Sequence, residues 1–210
     1  MEENIQVLDL VIPQEAANVK LPSPELLDLY DDRQKRVIYI DYDIDEALLR
    51  EVGRQILEYN RADKGKPIKE RKPIVALINS QGGNLDSTYA TIAIMETSMT
   101  PIITVNMNSA YSAAGLILMA GHKRYCMPRS QVLIHSGSAQ GIGGDYETVQ
   151  ESTKSYKKMV EEMREFITSK TKIEKSLMKK NQSRDWYLDT KEQLELGVVD
   201  EVITDLDTIL

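Results

Sequence analysis

Ser112, His135 and Asp185 are the side chains of this sequence whose types and placement could carry a nucleophilic reaction. A hydroxyl becomes a useful nucleophile when an imidazole takes its proton near neutral pH. The imidazole works better when a carboxylate fixes its tautomer. Ser112 stands where the apolar stretch PIITVNM (101–107) and a short polar turn (108–111) give way to the apolar run SAAGLILMAG (112–121). A hydroxyl there lies at a helix N-terminus, among free backbone N–H groups able to hold a developing oxyanion. Ala113, Ala114 and Gly115 are small enough for a substrate backbone to come close. The same position also suits a serine that only caps the helix.

The chain has two histidines. His122 directly follows Gly121 at the end of the apolar run and reads as an exposed or C-terminal residue. His135 ends the strand-like QVLIH (131–135), just before the glycine-bearing stretch 136–144. Strand ends beside glycine turns are where α/β proteins carry reactive groups, although a lone histidine also serves as a satisfied core residue. Asp185 lies in SRDWYLD, between Arg184 and Trp186, and its aromatic neighbours predict a partly sheltered carboxylate with a specific partner. The alternative for Asp185 is a turn aspartate. Asp189 is better explained as a helix cap paired with Glu192, and Asp200 belongs to the closing strand. The turn SQGGN (80–84) permits unusual backbone angles and could aim an N–H at a substrate carbonyl. Cys126 reads as a core residue. The histidines and the cysteine do not fall at ligand spacing, so no metal or other cofactor is expected.

These residues need a scaffold. RVIYI (36–40) reads as a strand, and 45–60 as a helix with Leu48, Leu49, Val52, Ile56 and Tyr59 on one face. RADKGKPIKERK (61–72) is a basic loop, expected to be solvated. PIVALIN (73–79) is a buried strand, and 85–98 a helix turning Leu85, Tyr89, Ile92 and Ala93 inward. KRYCM (123–127) and QVLIH are short strands. A long helix covers roughly 145–170, and VVDEVI (198–203) is a last strand. Strands alternating with helices predict an α/β fold with a mostly parallel sheet. Residues 1–30, with Pro13, Pro22 and Pro24 and no sustained period, form an N-terminal arm, leaving 31–210 as one domain.

The 210 residues are 41% apolar and 28% charged, with a formal net charge of −7. An acidic balance argues against nucleic acid as a partner. No apolar run approaches the roughly 20 residues needed to span a bilayer, so no membrane association is expected. The single cysteine and the absence of a signal-like N-terminus fit a cytoplasmic protein.

ALINSQGGN, SAYSAAGLILMAG, RYCMPRSQVLIH and RDWYLDTKEQLELGVVDEVI, in that order, resemble the Clp protease proteolytic subunit (the ClpP family). The likeness runs in register from about Arg33 to Ile203. It implies a serine endopeptidase with the triad Ser112, His135 and Asp185. It also implies an oxyanion hole made by the N–H groups of Gly83 and Ala113. The implied fold is crotonase-like, a core of stacked βαβ units with a projecting helical handle at about 138–172. The family assembles into stacked heptameric rings around a chamber and is fed polypeptide by an unfolding ATPase of the AAA+ class. The resemblance therefore implies a homo-oligomer and such a partner. Gln81, Ala113–Ala114 and Ser136–Gly137 depart from the family's usual residues. Two other functions stay open: a catalytically inactive subunit of a mixed ring, and an acyl-CoA-handling enzyme of the same fold.

Overall fold

A computed structural model describes residues 22–138 and 142–209. Parallel pairing in the order β1 (Val37–Ile40), β2 (Ile74–Ser80), β3 (Ile102–Tyr111), β4 (Lys123–Cys126) and β7 (Glu201–Val202) makes one sheet. β5 (Gln131–Ile134) also runs parallel to β3, and β6 (Trp186–Leu188) pairs antiparallel with β5. The expected mostly parallel α/β fold is present.

β3 is the hinge of this arrangement. Its first half, Ile103 to Asn106, pairs with β4, and its last residues, Ser109 to Tyr111, pair with β5. The segment 108–111, expected as a turn, is strand. Its backbone groups find partners in β5 on one side and, past an irregularity after Ile78, in β2 on the other.

Helices cover the sheet. α4 (Ala113–Met119) is buried along its whole length, as its uninterrupted apolar sequence requires. A turn of π-helix, Leu49–Gly53, leads into α2 (Arg54–Ala62). Leu48, Val52 and Ile56 are buried there, whereas Leu49 is exposed. In α3 (Leu85–Thr97) Ala93 is exposed, and the buried positions are Thr88, Thr91, Ile92 and Met95. The two threonines can go inside because their hydroxyls donate to the carbonyls of Asn84 and Ser87.

The long α5 (Tyr146–Lys170) buries Val160, Met163 and Ile167, all in its C-terminal half, so its first half projects from the body. α6 (Lys175–Asn181) and α7 (Thr190–Glu195) follow. α1 (Pro24–Lys35) begins inside the stretch read as an arm. Pro24 sits at the start of the helix, where its missing N–H costs nothing, and Ser23 caps it. The rest of that arm, residues 1–21, lies outside the described residues. No helix among the described residues is long and apolar enough to cross a membrane.

The loop at 61–72 hides one buried charge. Asp63 is fully buried and accepts from Nη1 and Nη2 of Arg36, at 2.5 and 3.0 Å, and from Lys66 at 2.9 Å. These cations hold its carboxyl well below the usual carboxylate range against the opposing effect of burial.

Candidate active site

Two neighbouring strands deliver Ser112 and His135. β3 and β5 run parallel with Tyr111 beside Leu133, so Ser112 and His135 emerge from the same end of adjacent strands. The N–H of Ser112 donates to the Leu133 carbonyl at 2.9 Å, extending the ladder one residue past β3. The chain then turns sharply into α4. Ser112 takes φ 54° and ψ −122°, a conformation that costs a non-glycine residue about 1–3 kcal/mol. Its hydroxyl makes no cap bond to the helix. It lies 2.7 Å from Nε2 of His135.

Asp185 reaches the same place from the other side of β5. The antiparallel register matches Leu133 with Tyr187 and Ile134 with Trp186, so the next positions, His135 and Asp185, face each other. Their closest approach, Nδ1 to Oδ1, is 3.7 Å. That is contact distance for an ion pair but beyond a hydrogen bond. The expected sheltering of Asp185 is not found, because 61% of its side chain is exposed. The strand's alternation explains it: Trp186 and Leu188 point into the core, while Asp185 and Tyr187 share the open side. The other two carboxylates are engaged elsewhere. Asp189 closes a capping box with Glu192, and Asp200 accepts from Arg124.

The glycine turn packs directly against the serine. A Cβ on Gly82 would stand 2.5 Å from the Tyr111 carbonyl oxygen and 2.9 Å from the Ser112 Cβ. A Cβ on Gly83 would stand 2.1 Å from the Ile44 carbonyl oxygen. Only glycine allows the turn to fit between these two segments, with φ of 93° and 146°. Among the described residues no group accepts a hydrogen bond from the N–H of Gly83 or of Ala113. Beside Ser112 and His135 a small cavity, nearly filled, is lined by Gly115, Leu116, Met119, Leu133, Met163 and Ile167.

Two polar networks around the site escape a reading of the sequence. Behind the strands, buried Gln193 donates to the Ser130 carbonyl at 2.9 Å and accepts from Asn106 at 3.1 Å, tying α7 to β3 and to the entry of β5. On the other side Ser136 meets Tyr156, Arg164 and Gln182. The eight-residue spacing of Tyr156 and Arg164 along α5 is a helix-face signal, but nothing in it names Ser136 as the target. His122, exposed as expected, still accepts the Ile102 N–H at 3.1 Å. Cys126 is fully buried, and burial pushes its thiol up.

The family model for Clp protease matches residues 25–205. The chain is 29% identical over 198 residues to the ATP-dependent Clp protease proteolytic subunit 1 of Corynebacterium diphtheriae, covering 93% of this chain and 90% of that one. It is 28% identical over 172 residues to the protein of the same name in Rhodococcus jostii, covering 81% and 76%. Among solved structures, a ClpP1 mutant from Listeria monocytogenes superposes with a TM-score of 0.74 over 86% of this chain and 98% of its own, at 22% identity.

Proposed function

Because this chain belongs to the Clp protease family, we propose that it is a serine endopeptidase subunit that hydrolyses peptide bonds through an acyl-enzyme on Ser112. The observation that carries the reading is the 2.7 Å contact between the Ser112 hydroxyl and Nε2 of His135, made by a hydroxyl that its helix does not use. His135 takes the hydroxyl proton as Ser112 Oγ bonds to the substrate carbonyl carbon. It returns that proton to the amine as the C–N bond breaks. Water, deprotonated in the same way, then releases the acyl group. The N–H groups of Gly83 and Ala113 hold the oxyanion of each tetrahedral intermediate, and the closeness of the glycine turn to Ser112 supports this pairing. Asp185, 3.7 Å from Nδ1 of His135, stabilises the imidazolium by its charge as it forms.

The wider assembly is proposed on the same footing. The relatives are named as proteolytic subunits of an ATP-dependent protease, so polypeptide is the substrate and a Clp-type ATPase is the partner. A homo-oligomeric ring is supported by α1, which buries none of its residues and leaves Leu26, Leu27, Leu29 and Tyr30 at least half exposed. The compartment is the cytoplasm.

One observation favours a second reading. The 3.7 Å gap to an exposed Asp185 suits a subunit that shapes a mixed ring without cleaving. A fluorophosphonate probe separates the two, since it loses fluoride only to an activated serine oxygen. Labelling of the wild type at Ser112, with loss in Ser112→Ala, is the expected result. An unlabelled homo-oligomer that also spares fluorogenic peptides overturns the proposed activity.

A further inference from the structure

Ser136 follows His135 directly and is held on three sides. Its hydroxyl donates to the Gln182 carbonyl at 2.7 Å and accepts from Nη2 of Arg164 at 3.2 Å. Its carbonyl accepts from the Tyr156 hydroxyl at 3.0 Å. Tyr156 and Arg164 both stand on α5, about two turns apart on one face. Gln182 follows directly on α6, three residues before Asp185. One serine side chain therefore joins the exits of β5 and α6, the two segments that carry His135 and Asp185, to the long helix. Gly137, next along, takes φ 75° and lets the chain leave this clasp at once.

The clasp matters because the carboxylate holds the ring loosely. At 3.7 Å, Asp185 makes no hydrogen bond to Nδ1 and cannot alone fix the imidazole. The strand ladder holds His135 from behind, and beyond it the three bonds to Ser136 fix the peptide that leaves His135. From this the geometry points to Ser136, Tyr156 and Arg164 as positioning residues: together they set the orientation of the His135 imidazole toward Ser112. The inference rests on the proposed role of His135, and its first readout does not depend on activity.

The chain's two histidines make that readout simple. Protein labelled with 13C at histidine Cε1 gives two ring signals, which His122→Asn assigns. Ser136→Ala and Tyr156→Phe are expected to move or broaden the His135 signal and leave that of His122 in place. Ser136→Thr, which keeps the hydroxyl, restores it. In the same variants the rate of fluorophosphonate labelling and kcat fall by about tenfold to a hundredfold while KM and the unfolding midpoint hold. Lys158→Gln, exposed on α5, changes neither signal nor rate. An unmoved His135 signal in both Ser136→Ala and Tyr156→Phe overturns the inference, as does a loss of rate that follows only a loss of stability. A wild type that never labels, with a His135 signal that still responds, rejects the peptidase reading and leaves the positioning role standing.

Discussion

The Oγ of Ser112 and Nε2 of His135 are 2.7 Å apart because two parallel strands end side by side, not because either residue is flexible enough to find the other. Replacing either member of such a pair typically costs about 10⁶ in turnover. Ser112→Ala and His135→Ala are each expected to lose cleavage of a fluorogenic peptide to about that degree. Activity that persists in purified Ser112→Ala would end the proposal.

Asp185 should matter less. A carboxylate that orients an imidazole through a hydrogen bond contributes about 10⁴ in turnover. Here it stands 3.7 Å away and is largely exposed. Asp185→Asn is expected to lower kcat by between about 10² and 10⁴, with KM unchanged. A loss equal to that of Ser112→Ala would mean that the carboxylate closes fully on His135 during turnover.

Gly82→Ala is expected to damage both stability and activity. Its new methyl would meet the Tyr111 carbonyl at 2.5 Å in a backbone conformation that disfavours any side chain. Relief requires moving the turn away from Ser112. Strain of this kind costs about 1–3 kcal/mol, visible as a lower midpoint in chemical denaturation. A variant of unchanged stability and rate would show that the turn has no bearing on the serine.

Asp63 lies far from the chemistry, and its substitution tests folding alone. Removing one partner of a buried ion pair costs about 3–5 kcal/mol. Asp63→Ala should lose about that much while its folded fraction keeps the wild-type pH profile of cleavage. The pH dependence has a definite sign. The folded carboxyl titrates below its unfolded value of about 3.9, so the wild type holds this stability above that pH and loses it as acidity increases. The variant should lack that acid-dependent part.

Much of this molecule is legible in its residues, and the exceptions have physical causes. Ser112 and His135 stand out because each closes an apolar strand and begins something different, a buried helix in one case and a glycine stretch in the other. Segment 108–111 reads as a turn because Asn108 and Ser109 are polar, yet strands on both sides absorb its backbone groups. Buried threonines shift the apparent face of α3, since composition does not reveal a hydroxyl satisfied by its own helix. The exposure of Asp185 depends on strand phase, and an aromatic neighbour carries no information about phase. Asp63 sits in a run of lysines and arginines, and its partner Arg36 is 27 positions away. Such pairings belong to topology and have no local signal.

β3 spends its first half in one strand pairing and its second half in another before releasing Ser112. The count of residues between Ile102 and Tyr111 is consequently a fixed measure, like the number of rungs between two landings. Side chains along it can be exchanged for others of similar bulk. Inserting or deleting a single amino acid would rotate everything after it to the opposite side and carry the hydroxyl away from the ring it meets.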